Sequence, residues 1–81
     1  MSQVATRTFE FSLTLSGIDE FTVELADRLY EAGCEDATFG TSNGVHLGRF
    51  SREAGSLEEA VDSAIRDVQR AGLTVARVDV R

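Results

Sequence analysis

The feature that most constrains this chain is where the spacing of its apolar residues changes. Across residues 7–15, Phe9, Phe11, Leu13 and Leu15 alternate with Thr8, Glu10, Ser12 and Thr14, the period of two that buries one face of a strand. Ser16-Gly17 interrupts it. From Ile18 the period is helical, with Ile18, Phe21, Leu25, Leu29 and Ala32 on one face,. Asp19 is the expected N-cap of this helix, with Glu20 beside the positive end of its dipole. Gly33 ends the helix at the position where a left-handed residue closes the last turn, which puts Cys34 at the following position, packed back on the apolar side.

Residues 37–42 form a second strand with Ala37, Phe39 and Thr41 on one face, and Asn43-Gly44 is the strongest short-range sign of a two-residue hairpin turn,. That turn sets Thr41 opposite His46, Phe39 opposite Gly48 and Ala37 opposite Phe50. Val45 and Leu47 then fall on the other face, which is either a weakly apolar outer surface or a sign that Gly48 is a bulge that flips the register. Both alternatives remain open. Ser56-Leu57-Glu58-Glu59 is a capping box,. It opens a helix with Leu57, Ala60, Val61, Ala64, Ile65, Val68 and Ala71 inward, an Asp62–Arg66 pair on the wet face, and Gly72 as its end. A last strand, residues 73–80, alternates Ala76, Val78 and Val80 with Val75, Arg77 and Asp79.

The order is strand, helix, strand, strand, helix, strand. Its natural closed form is an α+β, ferredoxin-like βαββαβ domain, a four-stranded antiparallel sheet with both helices on one face. With 81 residues the chain makes one domain, with an ordered core over about residues 7–80 and little room for a deep enclosed site. One cysteine makes no internal disulfide, and no apolar run approaches the roughly 18 residues of a membrane span. A soluble cytoplasmic domain without membrane association is expected.

Charge narrows the functional classes. The eight basic residues are all Arg, the acids number 14, and the net charge is -6. Residues 19–36 contain seven acids and one Arg, so the whole excess lies there. Such a surface repels phosphate backbones, and no direct nucleic-acid binding is expected. An RNA reader with this element order also needs exposed aromatics on its sheet, whereas Phe9, Phe11, Phe39 and Phe50 read as core. Acylphosphatase chemistry needs an Arg-bearing phosphate cradle after the first strand, where this chain has Ser16-Gly17-Ile18-Asp19.

The reactive residues point the same way. Cys34, His46, Glu35 and Asp36 do not have the paired spacing of a zinc site, and a thiol at a helix C-terminus is disfavoured as thiolate. No cofactor, metal or catalytic residue is expected. Glu20, Glu24, Asp27 and Glu31 follow i, i+4, i+7, i+11 spacing, with only Arg28 on that helix to relieve them. With Tyr30, they are the candidate docking face for a protein partner of basic character. Val23 and Tyr30 are expected on the flank between the buried and acidic faces. Val45, Leu47 and Val75 on the open sheet face are the candidate self-association surface of a homodimer, with Glu10, Arg49 and Arg77 as an ion-pair cluster beside them. The alternative is a small-ligand sensor of ACT-like form, binding an amino acid or similar metabolite near Gly17 at a dimer interface.

The segments Glu31-Ala32-Gly33-Cys34-Glu35-Asp36-Ala37, Phe50-Ser51-Arg52-Glu53-Ala54 with Ser56-Leu57-Glu58-Glu59-Ala60, and Ser63-Ala64-Ile65-Arg66-Asp67-Val68 resemble a family of small uncharacterised bacterial domains. In that family a similar segment stands alone or precedes a DNA-binding helix-turn-helix. The resemblance covers most of residues 9–80 and implies a non-enzymatic sensor, dimerisation or partner-binding module, accessory to a transcription-regulatory or defence-type system. The present sequence ends at Arg81 without the helix-turn-helix, so DNA binding in such relatives does not carry over.

Overall fold

A computed structural model describes residues 6–80. The elements follow in the expected order: β1 (Arg7–Ser16), α1 (Val23–Ala32), β2 (Ala37–Ser42), β3 (Val45–Ala54), α2 (Leu57–Arg70) and β4 (Thr74–Val80). The strands form one antiparallel sheet in the order β2-β3-β1-β4, the ferredoxin-like arrangement. Phe11, Leu13 and Leu15 from the sheet meet Leu25, Leu29 and Ala32 of α1 and Ala60, Ala64 and Val68 of α2 in a single core. Phe11 and Phe50 sit opposite each other across β1 and β3, with their rings stacked at 5.4 Å. Among the described residues no helix is long and apolar enough to cross a membrane.

Local chemistry explains the element ends. The Ser56 hydroxyl accepts from the Glu59 amide at 3.2 Å and opens α2,. Gly33 has φ 118°, a conformation that costs other residues their Cβ clearance. There the Cys34 amide turns back to donate to the Leu29 carbonyl at 3.0 Å, a Schellman closure that drives the next side chain into the core. The end of α2 repeats this geometry, with the Leu73 amide donating to the Val68 carbonyl at 3.3 Å and Leu73 buried.

Two expectations are corrected and one open alternative is settled. The N-cap of α1 is Thr22, whose hydroxyl accepts from the Leu25 amide at 3.2 Å, and not Asp19. Ile18 and Phe21 still pack inward, but from an irregular segment in which the Phe21 ring stacks on Phe39 at 5.4 Å. Their spacing imitates a helical turn because both anchor the same approach to the core. Gly48 is not a bulge: the pairing runs through it unshifted on both sides. A Cβ there would lie 2.6 Å from Phe39 Cε1, so the glycine makes room for the opposing ring.

The irregularity lies on β4 instead. Thr14 pairs with Arg77 and Leu15 with Val75, which leaves Ala76 as the extra residue. Val75 therefore turns to the core side opposite Leu15, where it packs against the buried cluster, and leaves the open-face set expected to contain it. Arg77 and Asp79 stay on the open face opposite Thr14 and Ser12.

Candidate interaction surface

The α1 helix exposes two large apolar side chains that no sheet or helix covers. At about 100° per residue, Leu25, Leu29 and Ala32 define the inward line, and Val23, Asp27 and Tyr30 lie within about 50° of the direction opposite. Val23 is 78% exposed and Tyr30 60%. The two therefore form the crest of the helix and not its flank, with Asp27 between them and Glu31 and Glu24 further round on one side. Glu20 is exposed but precedes the helix, so the acidic stripe within α1 consists of Glu24, Asp27 and Glu31.

Arg28 does not relieve those carboxylates. Its Nη2 donates to the Ala71 carbonyl at the end of α2. Arg70 returns the contact, with Nη1 donating to the Ala32 carbonyl of α1 at 3.2 Å. Each helix thus lends a guanidinium to the negative end of the other, and among the described residues no ion pair involves Glu24, Asp27 or Glu31.

The most elaborate polar arrangement surrounds Arg52, which sequence reasoning did not single out. Arg52 is 8% exposed and lies opposite Phe9 on the core side of β3. Its Nε and Nη2 donate to the two oxygens of Asp36 at 2.7 and 2.9 Å. Nη1 donates to the Ser63 hydroxyl at 3.0 Å and meets the Asp67 carboxylate at 3.0 Å, and Nη2 also donates to the Gly33 carbonyl at 2.9 Å. All five N–H groups of the guanidinium have an acceptor, and the hydrogen bond to Asp36 raises its pKa further above the ordinary arginine range, with burial opposing. Such an arginine is a clamp joining the end of α1, the loop after it, β3 and α2, with no donor left for a ligand. Alternation would have revealed its side of the sheet, since Arg52 is two residues beyond Phe50. Its acceptors come from residues 33, 36, 63 and 67, and no local pattern connects those positions.

The other sequence candidates find ordinary structural places. Cys34 is 2% exposed; burial, and then the nearby Asp67 charge, push its thiol up to about 11, so it stays protonated at neutral pH. His46 is buried, and its Nδ1 shares a 2.8 Å hydrogen bond with Thr41 Oγ1. Gly17 has φ 84°, so the turn itself accounts for the glycine at the expected ligand loop. Val45 and Leu47 share the open face, one exposed and one half-buried. The Glu10, Arg49 and Arg77 cluster does not form: Arg77 Nε pairs with Asp79 at 3.1 Å. Nor does Arg66 reach the Asp62 carboxylate; its Nε donates to the Asp62 carbonyl at 3.5 Å. Among the described residues no three His, Cys, Asp or Glu side chains gather as a metal site.

No protein-family model, curated protein or solved structure matches the chain.

Proposed function

We propose that this chain is a non-enzymatic protein-interaction or regulatory domain that offers the outer face of α1 to a basic segment of a partner protein. The observation that carries the reading is the crest of α1, where Val23 and Tyr30 stand in water among carboxylates that form no ion pair among the described residues. Two exposed apolar side chains on one charged face favour a docking surface over a merely solvated one,. A docking face uses both, because an apolar centre supplies desolvation and a charged rim supplies orientation and encounter rate. Tyr30 beside Asp27 and Glu31 suits an arginine that stacks on the ring while pairing with a carboxylate. The high thiol pKa of Cys34 supports a structural reading of the one nucleophilic sulfur.

The family resemblance supplies the setting, a cytoplasmic accessory to a bacterial regulatory or defence-type system. A second copy of the chain remains part of the proposal, through the open-face pair Val45 and Leu47. Native mass spectrometry at tens of micromolar tests that element, and a strictly monomeric species removes it without touching α1.

The α1 reading is tested by pull-down from the native host with the wild type, Glu24→Arg/Asp27→Arg and Tyr30→Ser. All replaced side chains are exposed, so the variants are expected to fold with stability changes within about 0.5 kcal/mol. Both are expected to lose the partner. Retention of every bound protein by the charge-reversed variant would show the α1 reading to be wrong.

A further inference from the structure

Gly40 has no structural reason to be glycine. It lies inside β2, directly opposite Leu47, and its φ is outside the left-handed region. A Cβ built there meets no atom within 4 Å. Strand positions of this kind favour β-branched residues, and a glycine in one often marks a place where another molecule approaches the backbone. The missing side chain helps leave a hollow of about 310 Å³ on the open sheet face, lined by Ser12, Thr38, Gly40, Ser42, Leu47 and Arg49 among others.

Polar residues line that hollow side by side. Thr38 and Ser12 lie directly opposite Arg49 on its two sides, so a hydroxyl, a guanidinium and a second hydroxyl form one row across β2, β3 and β1. Beyond Ser12 the row ends at Asp79 of β4, whose carboxylate is paired with Arg77. Arg49 is exposed and, among the described residues, takes part in no ion pair or side-chain hydrogen bond. Ser12 is 8% exposed, yet its hydroxyl has no hydrogen-bond partner among the described residues. No sealed, unpartnered polar side-chain atom exists among them, so what remains accessible of Ser12 opens into the hollow. An unpaired arginine between two hydroxyl donors is the arrangement that holds a carboxylate.

From this geometry we propose that the open face between β2 and β1 binds a small monocarboxylate with a compact apolar body. The carboxylate sits on Arg49, Ser12 and Thr38, and the apolar part lies over Gly40 against Leu47. An adjoining hollow of about 280 Å³ shares Arg49 and Thr38 and is also lined by Glu10 and Asp36. Asp36 is occupied by Arg52, but Glu10 forms no ion pair among the described residues and repels a second negative charge on the ligand. Together with the net charge of -6, this disfavours the phosphate dianion relative to a monocarboxylate. The hollow is at the small end of ligand sites and is open on one side, so a dissociation constant on the order of 1 mM is expected for a fragment-sized probe. The site is on the opposite side of the sheet from the helices and does not depend on the α1 reading, but it shares Leu47 with the proposed homodimer contact, so the ligand and a second copy compete for that side chain.

The test is a titration of the amide NMR spectrum with isovalerate, with inorganic phosphate as a separate arm. Isovalerate is expected to shift the amides of Ser12, Gly40, Leu47 and Arg49 saturably, while phosphate binds more weakly or not at all. Arg49→Gln is expected to weaken isovalerate about tenfold or more. Gly40→Val fills the hollow with a residue the strand prefers, so it should fold with an unchanged or higher Tm and lose binding. Glu24→Arg/Asp27→Arg should leave the titration unchanged, which separates a failure here from a failure of the α1 reading. No saturable shift up to about 20 mM, equal affinity in Arg49→Gln, normal binding by Gly40→Val, or phosphate binding as tightly as isovalerate would each overturn the proposal.

Discussion

Replacing Arg52 by Met is the perturbation that tests the architecture most directly. Met occupies much of the same stem volume but removes all five N–H donors. Asp36 then keeps its charge beside the core without a partner, Asp67 keeps only the exposed Arg70 at 3.5 Å, and the Gly33 carbonyl and Ser63 hydroxyl lose a donor. Removing one member of a buried ion pair costs about 3–5 kcal/mol. Asp36 stays partly open to water, and Ser63 still donates to the Ala60 carbonyl, so about 3 kcal/mol is the appropriate figure here. A domain of this length has about 4–12 kcal/mol of stability in total. The substitution therefore removes between a quarter and three quarters of it. With a urea slope near 1 kcal/mol/M for a chain this small, the midpoint should fall by roughly 3 M. Equilibrium urea unfolding followed by far-UV circular dichroism measures this, with Arg49→Met as the control. Arg49 lies on the same strand but is exposed and unpaired, so its removal should cost no more than about 0.5 kcal/mol. Adding Asp36→Asn and Asp67→Asn to Arg52→Met should restore at least about 1 kcal/mol, because the orphaned charges cause most of the loss. A cost below about 1 kcal/mol for Arg52→Met, or no recovery in the triple variant, would refute the clamp.

Two further outcomes follow from the core. The Cys34 thiol titrates near 11 in the fold against an ordinary 9.0, so above pH 9 the unfolded chain binds fewer protons than the folded one and stability falls as pH rises. Urea unfolding at pH 8 and 10.5 should show a larger alkaline loss for the wild type than for Cys34→Ala, and equal losses would contradict a buried neutral thiol. Gly48→Ala places a Cβ against the Phe39 and Phe50 rings and should lower stability by about 1–3 kcal/mol through overpacking. In thermal unfolding its effect should be smaller in a Phe39→Leu background; equal effects in both would mean the ring is not what Gly48 accommodates.

Particular elements show why some of this was legible in sequence. The Asn43-Gly44 hairpin was readable because turn geometry and side-chain alternation act over neighbouring residues, whereas its register past Gly48 was settled only by the pairing with both neighbouring strands. Gly33 and Ser56 were readable for the same reason, since a cap is settled within one helical turn. Asp19 competed with Thr22 for the start of α1. Thr22 prevailed because Phe21 reaches Phe39 from outside the helix, a contact between residues 18 apart. The turn of Val75 to the core required a bulge opposite Thr14 and Leu15, on a strand about 60 residues away in the chain, and nothing in residues 73–80 announces it.

The candidate surfaces divide similarly. The acids of α1 were visible from spacing, but their isolation depends on Arg28 turning to Ala71. Gly40 was a plain strand residue and Arg49 an expected ion-pair partner of Glu10 until the pairing with β1 placed Ser12 beside Arg49.

What the sequence by itself determined is everything with a short physical range: the six elements, most of their ends, the hairpin turn and the α+β class. These depend on periods of two and 3.6, on caps and on turn residues, all local interactions. Tertiary structure alone decided which charges are spent and which are free. Arg52, Arg28 and Arg70 are held by carbonyls and carboxylates brought from distant segments, while Arg49 and the α1 carboxylates have no ion-pair partner among the described residues. Composition counts charges, and only the folded distances pair them.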